Sequence, residues 1–148
     1  MSDVATELDR QRPRIARAWD LAVDVHDGQL DALGEPVLGH LQRVTAAVAP
    51  VARLVAVVHD VVERSSLSVE QVAERVGLDR DERAALDVLT KVPGESVVAH
   101  TDRVLAVEGR AGVIGVEVKR ADLADHVRRA PERPGYAEAL ARIVAATR

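Results

Sequence analysis

Apolar residues recur along the chain at intervals of three and four, the spacing of one face of an α-helix. Ile15, Ala18, Trp19, Ala22 and Val25 make the first such stripe, with Arg14, Arg17, Asp20 and Asp24 on the solvent side. Pro13 suits a first helical turn and Gly28 a stop, which leaves residues 1–12 as a flexible N-terminal segment. A second helix starts near Pro36, after Gly34-Glu35, and carries Leu38, Leu41, Val44 and Val48. Val51 to Arg64 is apolar nearly all round, as in a helix covered on most sides inside a bundle. Ser68 with Gln71 three residues on marks another start, and Gly77 its stop. Asp79 or Asp81 opens a helix through Ala85, Leu86 and Leu89 that ends before Pro93-Gly94. Glu95 to Glu108 reads as helix and Gly109 to Gly112 as a break.

Val113 to Arg129 is the ambiguous piece. Val113, Ile114, Val116 and Val118 suit a strand, but the continuation through Ala121, Asp122 and Leu123 prefers helix, and a lone strand has no partner elsewhere. After Pro131 and Pro134-Gly135, Tyr136 to Thr147 forms the last helix. The expected fold is all-α, a bundle of about eight helices. At 148 residues the chain has room for one core and too little for two.

Composition narrows the chemistry. With no cysteine, disulfide scaffolds, zinc–thiolate fingers and thiol nucleophiles are excluded. A net charge of −4 with one Trp, one Tyr and no Phe lacks both the basic footprint and the stacking rings of a nucleic-acid binder. The longest apolar stretch, Val44 to Val58, is interrupted by Thr45, Pro50 and Arg53, so no membrane span is expected. Ser2, Asp3 and Glu7 do not suit a secretory leader. The expected setting is cytoplasmic, and a homo-oligomer is compatible with the chain.

The tandem His59-Asp60 lies in the most apolar stretch. A buried aspartate costs several kcal/mol unless it is paired or bound to a cation. A divalent metal removes that cost, and imidazole with carboxylate suits manganese, iron or zinc. Pairing of Asp60 with Arg64, one turn on, is the plainer alternative.

His40, His59-Asp60 and Asp122 together resemble the ligand set of HD-domain metal phosphohydrolases. The likeness is wider than those residues. His26-Asp27-Gly28-Gln29, Gly34-Glu35-Pro36, Val58-His59-Asp60-Val61-Val62-Glu63, Leu89-Thr90-Lys91, Gly94-Glu95-Ser96, Lys119 with Ala121-Asp122-Leu123, and Tyr136-Ala137-Glu138-Ala139-Leu140 resemble the hydrolase domain of RelA/SpoT-type enzymes, in order. The resemblance is to the small stand-alone bacterial members. It implies a single HD domain over residues 1–148 that removes the 3′-pyrophosphate of guanosine tetra- and pentaphosphate, or cuts a related phosphorylated nucleotide, by attack of a metal-bound water. It also implies Mn²⁺, or else Fe²⁺, Zn²⁺ or Mg²⁺, on His40, His59, Asp60 and Asp122, with Glu63 as general base. Gln29, Arg64, Lys119 and His126 are the candidate substrate contacts.

Three departures bear on substrate more than on metal. Arg64 stands where the family has a second acid; it is placed to clamp a phosphate, to neutralise Asp60 and close the site, or to face solvent. Leu30, Asp31, Ala32 and Leu33 lack the family's cations, and Val37 stands for its tyrosine. His126 replaces an asparagine and is placed to meet a phosphate, the metal or a rim. Lys91 and His100 are expected on the surface. A catalytically degenerate HD domain that binds nucleotide, metal or a protein is the reading from a different class.

Overall fold

The computed structural model describes residues 3–147, with side chains from residue 10, and within them the chain is all-α. Eight helices follow one another: α1 (Asp3–Val25), α2 (Val37–Ala47), α3 (Arg53–Val58), α4 (Val69–Val76), α5 (Arg80–Leu89), α6 (Val97–Leu105), α7 (Gly109–Arg129) and α8 (Tyr136–Ala146). A 3₁₀ turn, Pro50–Ala52, leads into α3. One bridge, Leu30 to Pro36, is the only extended pairing among the described residues. No helix is long and apolar enough to cross a membrane.

Helix α3 is the centre. Leu54 to Val58 are each at most 2% exposed, and α1, α2, α5 and α7 pack around them. Valine loses a few tenths of a kcal/mol in a helix, whereas burying its side chain gains about 1.5 kcal/mol or more, so packing decides. The same competition settles Val113 to Val118. Ala111, Ile114, Gly115 and Val118 are buried and Val113 is exposed, which is helical spacing and not alternation. A second, smaller apolar cluster joins α6, α7 and α8 through Leu123, Ala139 and Ile143.

Local signals set most boundaries. Ser68 and Gln71 exchange both hydrogen bonds of a capping box at α4, and Asp79 and Glu82 do the same at α5. Gly77 closes α4 with φ 85°, in the left-handed region that costs glycine nothing. Arg14 and Arg17 of α1 then donate to the carbonyls of Gly77 and Val76, and Arg14 also pairs with the buried Glu82.

Three boundaries differ from the sequence expectation. Helix α1 begins at Asp3, so the backbone of residues 3–12 is helical where a flexible segment is expected; residues 1 and 2 lie outside the described residues. Pro13 sits inside this helix on its exposed side. The apolar stretch from Val51 does not run as helix to Arg64 but stops at Val58, for a reason found in the site. Gly109 and Gly112 belong to α7, and the break falls at residues 106–108.

Gly112 is where α7 passes the end of α6. A Cβ there would lie 2.0 Å from the Val107 carbonyl oxygen. Gly112→Ala is therefore expected to destabilise the protein by about 2 kcal/mol or more, through backbone overlap. Ser68→Ala loses a cap and is expected to cost about 1 kcal/mol. Urea unfolding midpoints of the two variants check both, with the alanine at 112 the more damaging.

Candidate metal centre

Helix α3 ends because its next residue competes for a carbonyl. His59 Nδ1 lies 2.7 Å from Ala56 O, three residues back, and the chain continues as a turn through residues 59–64. The ring donates Nδ1–H to that carbonyl, which leaves Nε2 with only a lone pair. This nitrogen is buried and has no hydrogen-bond partner. Helix α2 presents His40 to the same place. Its Nδ1 is 2.7 Å from Asp125 Oδ2 and its Nε2 is hydrogen-bonded to Asp122 Oδ1 at 2.9 Å, a carboxylate on each side of the ring.

The long helix α7 supplies Lys119, Asp122, Asp125 and His126, spaced to share one face. His59 Nε2 is 3.5 Å from Asp122 Oδ1 and 3.5 Å from Asp60 Oδ1, and His40 Nε2 is 3.9 Å from Asp60 Oδ2. The four side chains expected to bind metal therefore converge, although 82 residues separate His40 from Asp122. Donor atoms of His40, His59 and Asp60 lie within 4.8 Å of one another, as do those of His40, Asp122 and His126.

The Nε2 atoms of His40 and His59 thus face two carboxylates, an arrangement that a cation or added protons hold together. Without a metal, protons fill that role: burial pushes His59 down, yet Asp60 and Asp122 outweigh it and lift the ring to about 9. His40 is raised in the same contest between burial and Asp122. Burial also opposes the charge of Asp122, but Lys119 and the three imidazoles hold its carboxyl well below the usual range. Two imidazole nitrogens, one of them the unpartnered His59 Nε2, and two carboxylates fit a divalent cation, so this buried group can hold a metal ion.

Asp125 is the residue that sequence reasoning missed. It receives His40 Nδ1–H and is itself gripped by Arg43, at 2.8 and 3.2 Å, and by Arg128. Such a carboxylate behind a ligating imidazole fixes its tautomer and direction. The signal was an acid one helical turn after Asp122.

His126 is wired the opposite way. Arg133 Nη1 lies 3.4 Å from its Nδ1, and a guanidinium can only donate, so the ring proton sits on Nε2, 3.3 Å from Asp122 Oδ1. His126 is thus a hydrogen-bond donor to Asp122, and its ring centroid lies 4.7 Å from that of Tyr136, the planes tilted by 41°.

These groups line a cleft of about 200 Å³ whose walls also carry Glu63, Arg64, Lys91, Arg129 and Arg133. Glu63 Oε1 accepts the Lys91 backbone N–H at 2.5 Å. Desolvation raises its carboxyl above the ordinary value, and the Asp60 charge adds to this against the Lys91 hydrogen bond. Arg64 is exposed and forms no ion pair among the described residues, so it does not neutralise Asp60. The Lys91 side chain is exposed, as expected.

Two expectations are corrected. Gln29 is not in the cleft: its Oε1 meets His26 Nδ1 at 2.8 Å and its Nε2 donates to Arg64 O at 3.0 Å, tying the end of α1 to the turn that holds His59. His100 is not on the surface but 3% exposed, donating Nε2–H to Val88 O at 2.9 Å. Its ring lies between Val88 of α5 and Lys119 of α7, which the sequence around it does not announce.

No family model matches the chain, and no curated protein matches it.

Two outcomes follow from this geometry. Asp125→Asn is expected to weaken divalent-cation binding by about 10- to 100-fold, read by calorimetry with cobalt(II). Burial, followed by the nearby Lys119 charge, holds His100 down to about 4, against an ordinary value of 6.5. Between those pH values the unfolded chain binds the proton that the folded one refuses. This contribution to stability is whole above about pH 6.5 and declines as pH falls toward 4. The urea midpoint of the wild type should fall more between pH 7 and pH 5 than that of His100→Asn.

Proposed function

We propose that the chain is a metal-dependent phosphohydrolase of the HD type, acting on a phosphorylated nucleotide, with guanosine tetraphosphate the first candidate. The observation that carries this reading is the meeting of His40, His59, Asp60 and Asp122 in a cleft whose walls also carry Arg64, Lys119 and Arg133. The ordered likeness to RelA/SpoT-type hydrolase domains supplies the substrate class. Manganese is the expected ion, with iron, zinc or magnesium as alternatives. When bound, such an ion acidifies water and draws charge from phosphoryl oxygens.

The chain's own residues divide the remaining work. Lys119, 8% exposed and 3.5 Å from Asp122 Oδ2, holds an ammonium at the inner wall, where it meets a phosphoryl oxygen. Arg64, unpaired, and Arg133, over the Tyr136 ring at 4.5 Å, stand at the walls as further phosphate contacts. Glu63 has one oxygen anchored on the Lys91 N–H, which turns the carboxyl and leaves Oε2 without a protein partner among the described residues. That oxygen takes the proton of the water that attacks phosphorus, as the bond to the leaving oxygen breaks. Desolvation raises the Glu63 carboxyl, the direction that makes it a stronger base.

One observation favours a substrate other than guanosine tetraphosphate. The loop from Leu30 to Leu33 presents two exposed leucines, and its Asp31 is committed to Arg129 at 2.8 Å. This wall offers no free cation of its own. A panel of nucleoside di- and triphosphates, cyclic nucleotides and 3′-phosphorylated nucleotides distinguishes the two; turnover confined to guanosine tetraphosphate removes the alternative.

The expected result is Mn²⁺-stimulated pyrophosphate release from guanosine tetraphosphate. Asp60→Ala and His59→Ala should reduce it to background, and Glu63→Gln should lower kcat by about 10²- to 10⁴-fold. Undiminished turnover by Asp60→Ala would falsify the proposal.

A further inference from the structure

Helix α6 carries a histidine that the catalytic reading does not use. His100 is buried against the inner wall of the cleft, and both ring nitrogens are engaged. Nε2 is 2.9 Å from the Val88 carbonyl oxygen, which can only accept, so the proton resides there. Nδ1 is then a lone pair, and it faces Lys119 Nζ at 3.2 Å. The same ammonium reaches Asp122 Oδ2 at 3.5 Å. An ammonium has three N–H donors. The imidazole takes one, Asp122 a second, and the third has no protein acceptor among the described residues.

We infer that His100 is a positioning residue that aims the third N–H of Lys119 into the cleft, making a subsite for a phosphoryl anion. This deepens the proposed phosphohydrolase reading and rests on it for the class of ligand. The argument is one of donors and acceptors. A buried ammonium with a single, shared carboxylate is short of acceptors, and a lysine stem has several rotors through which it can turn away. The neutral imidazole supplies an acceptor without a charge. It fixes the direction of Nζ while leaving its positive charge uncancelled, which a second carboxylate would not do. Because His100 is itself fixed by the backbone of α5, the aim of Lys119 is set by the fold and not by the ligand.

The test compares two replacements in the full-length chain loaded with one equivalent of Mn²⁺. His100→Asn places a carbonyl oxygen near the position of Nδ1 but does not reach Val88; His100→Leu fills space with no acceptor. Both lose the Val88 bond, so a merely structural role would move them equally. Inorganic phosphate is titrated into each by calorimetry. His100→Leu is expected to bind it about tenfold more weakly than wild type, the scale of one hydrogen bond to a charged group. His100→Asn is expected to stay within about threefold. Lys119→Met should show the full loss, and adding His100→Leu to it should cost nothing more. Where guanosine tetraphosphate is turned over, His100→Leu raises KM more than it lowers kcat.

Equal phosphate affinity of the two His100 variants overturns the inference, as does an additive loss in the double variant or absence of phosphate binding by wild type. If phosphate binding follows the expected order while no nucleotide is hydrolysed, the subsite stands and the hydrolase reading falls.

Discussion

A single buried carboxylate holds the functional end of this molecule together. Asp122 is shared by His40, His59 and His126 through Oδ1 and by Lys119 through Oδ2. Its two oxygens therefore face two different chemistries. One side gathers imidazole nitrogens and Asp60 into a group that can hold a cation; the other anchors the Lys119 ammonium. An isolated charge in such a position would cost several kcal/mol, and the surrounding rings and ammonium offset that cost. In turn they depend on it: no other acid lies within ion-pair distance of Lys119 or His126 among the described residues.

The histidines show how partners assign roles. His40 and His59 each give Nδ1–H to an oxygen and turn Nε2 toward the carboxylates, whereas His126 and His100 carry their proton on Nε2 because a cation faces Nδ1. All four lie around one cleft, yet two turn Nε2 toward the carboxylates, one donates to Asp122 and one accepts from Lys119. Residue type alone does not make this distinction. The second nitrogen of each ring does.

That is also why some of the molecule was legible in the chain and some was not. Helix starts written in short-range chemistry, such as Ser68 with Gln71 and Asp79 with Glu82, were readable because both partners lie within one turn. The convergence of His40, His59, Asp60 and Asp122 was readable as an ordered pattern. The end of α3 was not, because a side chain, His59 Nδ1, and not a glycine or proline, takes the carbonyl that stops it. Nor were the burial of His100 and the task of Gln29, since their partners Lys119 and Arg64 are 19 and 35 residues away. Val113 to Val118 was ambiguous because valine favours strands by itself, and only the neighbouring helices make its burial helical.

The two apolar clusters have unequal weight. The larger one encloses α3 and fixes His59, while the smaller has only Leu123, Ala139 and Ile143 fully shielded and carries α8 with Tyr136. The opposite jaws of the cleft thus rest on foundations of different strength. Parting them along the α8 seam uncovers three such side chains, whereas disturbing the α3 side would breach the main interior. By that measure local opening costs least along the α8 seam and most around α3.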